Sequence, residues 1–312
     1  MPQTKNHASV KQMSLSTAPS SRNSLILDDV LLLDDNIFND IKAPVDENGN
    51  LRFGKKYPYK QMYSLSITCL SGTIYTSLNL QEFEMKENDS LVCFAGAIID
   101  NFKCTPDCKF YIIALSEDEF LNNNPAACMR SIRQNMVHPI LIHNTKKETD
   151  TSFSLYKVLR EIIMAPAFDF RMDAAKGTIT CMASGLAQWL IMQNEQQKGK
   201  NVNQYEALFT DFLQAVHKYC YKERKITFYA KLFDISPKYF SKLIYDVSGK
   251  HAGDWIREHV TLEAKAMLNS GNKSVLDVSN ALNFPNASFF GKYFKANTGM
   301  SPKQYALKSS RG

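Results

Sequence analysis

Lys238, Ser241, Lys242 and Tyr245 stand at i, i+3, i+4 and i+7, the spacing that gathers side chains on one face of an α-helix. The same spacing returns 50 residues later as Ser288, Gly291, Lys292 and Lys295. Neither set contains a carboxylate, a histidine or a cysteine. What they offer is ammonium charge and hydroxyl donors, the chemistry of gripping an anionic polymer. Lysines neutralise phosphates, and a lysine such as Lys242 can also donate to guanine acceptors on a groove floor. Two faces built alike suit two neighbouring stretches of one groove.

The elements that must carry these faces are legible from their punctuation. Ser236 before Pro237 is a helix start, because the hydroxyl can cap free amides and proline has no N–H to waste. Tyr239, Phe240, Leu243, Ile244 and Val247 then form the apolar side, and Gly249 closes the helix. In the second copy Asn286 is the expected cap, Phe289, Phe290, Tyr293 and Phe294 the apolar side, and Gly299 the terminator. The two copies match at an offset of 50: Tyr239 with Phe289, Phe240 with Phe290, Lys242 with Lys292, Ser248 with Thr298, Gly249 with Gly299, Trp255 with Tyr305. A short helix is predicted before each, over Thr227–Leu232 and Val275–Leu282, the latter opened by a Ser274/Asp277 capping box. The turns are Asp234-Ile235 and Asn283-Phe284-Pro285.

Between the copies, Asp254–Asn269 reads as one helix without interior Gly or Pro, offering Ile256, Val260, Met267 and Leu268 for burial. At about 1.5 Å per residue it extends roughly 24 Å, and B-DNA presents its major groove again about 34 Å along the axis. Charge follows the repeat. Residues 221–312 hold 15 Lys+Arg and 7 Asp+Glu, whereas residues 1–220 hold 22 and 24. A basic excess confined to the repeat suits a polyanion, since counterion release supplies most sequence-independent affinity.

The ordered set Ala230-x-Leu232, Ser236-Pro237-x-Tyr239-Phe240-Ser241-Lys242, Gly249, Trp255-Ile256, Val278-x-x-Ala281-Leu282-x-Phe284, Ser288-Phe289-Phe290-x-Lys292-x-Phe294-Lys295 and Thr298-Gly299-Met300-Ser301-Pro302-x-x-Tyr305 resembles the AraC/XylS-type bacterial transcription regulators. The resemblance covers Asp211 to Lys308. It implies an all-α, homeodomain-like double helix-turn-helix module attached to an N-terminal sensing or dimerisation domain. Its base-reading positions fall on Lys238, Ser241 and Lys242, and on Ala287, Ser288, Gly291 and Lys292. Two departures stand out. Asn283 replaces the glycine usual in the second turn, which Asn tolerates at positive φ. Gly291 lies inside a recognition helix and has no side chain to read a base, so the first unit is expected to carry more direct readout, with Lys292 and Lys295 mainly on phosphates.

The remainder is less explicit. With 312 residues and 44% hydrophobic content the chain is long enough for two domains. Residues 1–24 are polar, which suits a flexible tail and not a signal peptide. No stretch reaches the ~20 apolar residues of a membrane span. From Tyr57 to Leu115 short strands are expected at Tyr63–Leu70, Thr73–Leu80, Ser90–Phe94 and Phe110–Leu115, with turns at Ser71-Gly72 and Glu87-Asn88-Asp89. Such strands favour a β-barrel or sandwich. By the family resemblance it is cupin-like, with Tyr63, Thr68 and Phe94 as barrel-facing side chains.

None of the six histidines lies between residues 57 and 115, so a metal-binding cupin is not expected; His138 and His143 read as ordinary histidines flanking Pro139. The seven cysteines, an odd number, suit a reducing compartment, and Cys104 and Cys108 flank a strand-connecting turn as buried thiols. There is no P-loop, dinucleotide glycine fingerprint or Gly-x-Ser-x-Gly elbow, leaving catalysis without candidates. Ser152–Gln197 returns to helical spacing, as two amphipathic helices that pack on the β domain or pair with a second protomer, and Gln193–Asn203 reads as a linker.

The expectation is an α+β chain of two domains. Residues 1–24 form the tail, 25–148 the cupin-like β domain, 149–205 the helical dimerisation segment and linker, and 206–312 the DNA-binding module. Within the module the first helix-turn-helix spans 227–248, the linker helix 252–270 and the second helix-turn-helix 274–298. The implied activity is non-enzymatic, sequence-specific binding of double-stranded DNA by a cytoplasmic bacterial regulator, with no cofactor and no metal. RNA polymerase, a small-molecule effector and a second copy of the chain are the other partners considered. A non-specific nucleic-acid-binding or architectural protein, and an enzyme domain fused to a DNA-binding tail, are the competing classes.

Overall fold

The computed structural model describes residues 25–27, 30–34, 45–52, 58–61, 63–116, 128, 132, 139–166, 169–198 and 204–309. The expected tail and His138 lie outside them. Two antiparallel sheets stack in the N-terminal half. One runs β1 (Leu25–Leu27), β2 (Val30–Leu33), β10 (Lys109–Ser116), β5 (Tyr63–Ser71), β8 (Asp89–Cys93) and β11 (Ile140–His143). The other runs β3 (Leu51–Arg52), β9 (Ile98–Cys104), β6 (Ile74–Leu78) and β7 (Gln81–Met85), with β4 (Tyr59–Lys60) also paired to β9.

Period-2 alternation on β5 decides what lies between the sheets. Leu65, Ile67 and Cys69 point inward to meet Ile74, Leu78, Met85, Ile99, Phe102 and Cys104, while Ser64, Ser66 and Thr68 point outward. Phe94 also belongs to the outer layer. Thus Thr68 and Phe94 do not face the inter-sheet core as expected; of the three side chains named for it, Tyr63 alone packs there. Turn chemistry explains two further differences. The expected strand Thr73–Leu80 stops at Leu78, because Asn79 (φ 52°) and Leu80 (φ 72°) form a two-residue hairpin turn with both residues left-handed. Without a glycine that turn is silent in the sequence. Gly72, by contrast, is required: its φ is 73° and a Cβ there would sit 2.6 Å from the Cα of Cys108.

Helices cover the outer face of the first sheet. α1 (Lys146–Met164) opens at a capping box in which Thr145 and Glu148 exchange hydrogen bonds, earlier than the expected Ser152. It turns Tyr156, Leu159 and Ile163 onto the sheet. Asp34, at the end of β2, is buried yet satisfied, accepting from the Tyr156 hydroxyl at 2.9 Å and from Arg160 Nε at 2.8 Å. α2 (Arg171–Lys198) adds Ala175, Ile179, Ala183, Ala187 and Leu190. Each helix thus packs one apolar side on the sheet, while Val158 and Met164 on α1 and Ile191 and Met192 on α2 stay exposed. Helix α2 also runs through Lys198, so the first half of the expected linker is helical.

The C-terminal half is helical throughout: α3 (Gln204–Tyr219), α4 (Ile226–Leu232), α5 (Pro237–Ser248), α6 (Ala252–Asn269), α7 (Val275–Ala281), α8 (Ala287–Thr298) and α9 (Pro302–Ser309). α6 is the axis. Ile256 and Val260 join the first unit's core with Phe212, Tyr229, Phe240 and Ile244. Ala264 and Leu268 join the second with Val278, Leu282, Phe290 and Phe294. Leu262 and Ala266 face the N-terminal sheets, where they meet Ile98 and Leu80. No helix among the described residues is long and apolar enough to cross a membrane.

Gly72→Ala is expected to lower stability by at least ~2 kcal/mol, since strain at positive φ and the steric clash with Cys108 add. Gly49→Ala, also at positive φ but with no neighbour within 4 Å, should cost less. Urea melts of the two variants check the order.

Candidate nucleic-acid interface

Both recognition helices start and stop by the same local chemistry. Ser236 accepts the amide of Tyr239, and Gly249 ends α5 with φ 69°. Asn286 accepts the amides of Ser288 and Phe289, and Gly299 ends α8 with φ 78°. The duplication extends to single hydroxyls: Ser248 Oγ donates to Ile244 O and accepts from Lys250 N, while Thr298 Oγ1 donates to Phe294 O and accepts from Met300 N. The inter-helix turns are also alike, with Asp234 and Asn283 both at φ 54°. One residue, Pro285, is extra in the second copy, so the turns are offset by 49 and the recognition helices by 50.

Burial sorts the two faces. Lys238, Lys242 and Tyr245 on α5 are exposed and Ser241 half-buried. On α8, Ser288, Lys292 and Lys295 are exposed, with Ala287 and Gly291 half-buried. All the expected contact residues thus lie on accessible surface, in two matching groups. The apolar faces are narrower than expected. Tyr239 is 51% exposed and its repeat partner Phe289 60% exposed; only Phe240, Leu243 and Ile244, and Phe290 and Phe294, are buried. Each ring precedes a buried phenylalanine, Phe240 or Phe290, by one residue, about 100° around the helix, and so falls at the edge of the packed face. Two exposed aromatics at equivalent positions extend the contact surface, a feature that helical periodicity misassigns.

The two units are locked in mutual orientation. Arg224, before α4, donates to the carbonyls of Leu282 and Asn283, the latter at 2.9 Å, and its guanidinium lies 4.1 Å from the Phe284 ring centroid. Asn283 returns a side-chain bond to Lys222 O at 3.3 Å. Tyr293 on α8 donates to Arg257 O on α6 at 3.1 Å. Nothing in the motifs announces this clasp; it joins residues about 60 apart in sequence.

A second cluster lies behind the module. One donor atom each from His217, His259 and Glu263 falls within 4.8 Å of the other two. Glu263 accepts from the Tyr221 hydroxyl and from Lys60 Nζ at 3.0 Å, and Lys60 also donates to Tyr221. Burial depresses both imidazoles, with Lys60's charge adding to it; His259 falls to about 4, so its ring is neutral near pH 7. The only hint in the sequence was the i, i+4 spacing of His259 and Glu263.

Two helix-turn-helix units on one spine, each presenting a basic face, define the C-terminal half as a double helix-turn-helix module. Residues 229–308 match the family model described as the helix-turn-helix domain. The module belongs to that family, and the AraC/XylS-type resemblance of its motifs holds there. A curated relative, the uncharacterized HTH-type transcriptional regulator YobQ of Bacillus subtilis (strain 168), is 32% identical over 90 residues, which cover 29% of this chain and 37% of that one. The match therefore spans well under half of that relative's length. Among solved structures, ToxT from Vibrio cholerae O395 aligns over 82% of this chain and 95% of its own at 12% identity and a TM-score of 0.39. The C-terminal domain of AraT, a response regulator from Geobacillus stearothermophilus, aligns over 32% of this chain and 84% of its own at 19% identity and a TM-score of 0.31.

Arg224→Ala should destabilise the chain by roughly 1.5–3 kcal/mol, the range for hydrogen bonds from a charged donor. Because the loss falls at the seam between the units, DNA affinity should drop with it; a variant with unchanged melting and binding would show the clasp to be idle. Gly291→Ala meets nothing within 4 Å and should raise stability by ~0.5–1 kcal/mol through helix propensity. Thermal melts decide the sign.

Proposed function

We propose that this chain is a sequence-specific DNA-binding transcription regulator, acting as an activator, whose N-terminal domain controls the module. The carrying observation is the pair of equivalent exposed faces on α5 and α8, fixed against α6 and clasped by Arg224. A rigid pair of helices fits successive major-groove segments on one side of a duplex. Lys238, Ser241, Lys242 and Tyr245 contact one segment and Ala287, Ser288, Gly291, Lys292 and Lys295 the next. Lys242 reads base edges, and Lys292 and Lys295 hold phosphates. Tyr239 and Phe289 join the same surface. The activity is non-enzymatic, and the setting that goes with this reading is the cytoplasm of a bacterial cell.

Control is assigned to the β domain. A cavity of about 610 Å³ opens between the first sheet and helices α1 and α2. Ser64, Thr68, Ser90 and Asn144 line one part of it, and Val92, Ile113, Leu155, Met182, Leu186 and Trp189 another. Thr68, Ser90 and Asn144 form a connected set of hydrogen bonds at 2.9 Å each, and Ser64 Oγ is buried without a partner. Lys147 and Glu148 add one charge of each sign to the lining, which otherwise suits a small, mostly apolar effector. Self-association would bring two modules onto one site, and outward-facing Val158, Met164 and Phe170 support it. RNA polymerase is the partner this output requires.

Footprinting of genomic fragments with the full chain tests the reading, and absence of any protected tract at low ionic strength sinks it. Lys242→Ala should lose about 1–3 kcal/mol of binding and relax base preference. Lys295→Ala should weaken all sequences alike and lower the salt slope by about 1. Equal effects on specific and random duplexes for both variants would favour a non-specific architectural protein.

A further inference from the structure

The strongest unassigned feature is the buried cluster where α3 and α6 of the DNA-binding module meet strand β4. Three properties set it apart from an ordinary ion pair. His217 Nδ1 and His259 Nε2 are both buried without any hydrogen-bond partner, an unfavourable state for a group able to bond. His259 is 4% exposed and Glu263 0% exposed, and the three donor atoms converge within 4.8 Å. The cation that now answers the Glu263 carboxylate comes from outside the module: the ammonium of Lys60, whose side chain is 32% exposed.

We propose that His217, His259 and Glu263 form a binding site for a divalent transition-metal ion of the zinc type, in competition with Lys60 for the Glu263 carboxylate. Two imidazole nitrogens and one carboxylate oxygen are a borderline-soft donor set, which selects zinc, cobalt, nickel or copper over magnesium and calcium. Zinc takes such ligands at ~2.0–2.2 Å, so small side-chain rotations from the present separations close the site. His259 and Glu263 are one helical turn apart on α6, hence on one side of it, and His217 approaches from the last turn of α3. Three protein ligands leave a fourth position for water or for the Tyr221 hydroxyl, which already points at Glu263.

Competition gives the ion an effect. Lys60 on β4 and Glu263 on α6 join the sheets to the module, flanked by the Asn269 side chain donating to Pro58 O at 3.0 Å. A metal held by Glu263 repels the ammonium beside it, and the partly exposed Lys60 swings to solvent. Metal binding thus removes one of the ties between the β domain and the helix that spaces the two recognition helices.

The test uses the full-length, tag-free chain, freed of metal by chelation. Zinc is titrated by calorimetry, and cobalt is titrated while the visible bands of a low-symmetry four-coordinate site are followed. One ion per chain is expected, with cobalt bands that zinc abolishes. His259→Ala should weaken binding at least ~10-fold, and His217→Ala, at a less buried position, does the same if the first variant folds poorly. Lys60→Met removes the competitor and no ligand, so zinc should bind several-fold more tightly. Absence of cobalt bands, affinity unchanged in both histidine variants, or affinity unchanged or weakened in Lys60→Met would each overturn the proposal.

Discussion

Everything in the C-terminal half, and its attachment to the rest, depends on burial along α6. Ten of its eighteen residues are buried, far more than the single stripe of a surface helix. Three separate apolar clusters draw on it: Ile256 and Val260 serve the first unit, Ala264 and Leu268 the second, Leu262 and Ala266 the β domain. Because close-packed side chains do not slide, each recognition helix inherits its position from the same rod. The separation of the two basic faces is therefore a property of one helix rather than of two loops.

The buried polar residues of α6 follow from that crowding. A helix enclosed on several sides cannot keep every polar side chain at the surface. Glu263 is partnered by Tyr221 and Lys60, whereas His217 and His259 each retain an idle nitrogen. The strained Leu80, at φ 72°, packs on the same interdomain patch as Leu262 and Ala266. Strain, unpaired nitrogens and a buried carboxylate thus collect where the two halves meet.

Much of the module was legible because its information is local. The caps Ser236, Asn286 and Ser274, the stops Gly249 and Gly299, and the outward spacing of the lysines all act within one or two helical turns, and each stands where it was read. The β domain was harder. Strands β1, β2 and β11 are runs of three or four mostly apolar residues, too short to show a period, and the hairpin at Asn79-Leu80 lacks the glycine that marks such turns. Tyr239 and Phe289 mark the limit of periodicity itself: an apolar residue on the right side of a helix is buried only if something lies opposite it.

The sequence by itself determined the ends of the two recognition helices, the duplication, the confinement of positive charge to the repeat and the identity of the outward-facing polar side chains, since backbone capping and 3.6-residue periodicity depend only on near neighbours. Tertiary structure alone decided that Arg224 clasps the second turn, that Thr68 and Phe94 face helices instead of the inter-sheet core, and that His217, His259, Glu263 and Lys60 converge. Those outcomes rest on contacts between residues tens to hundreds of positions apart, which are fixed by how packed layers meet and leave no mark in local spacing.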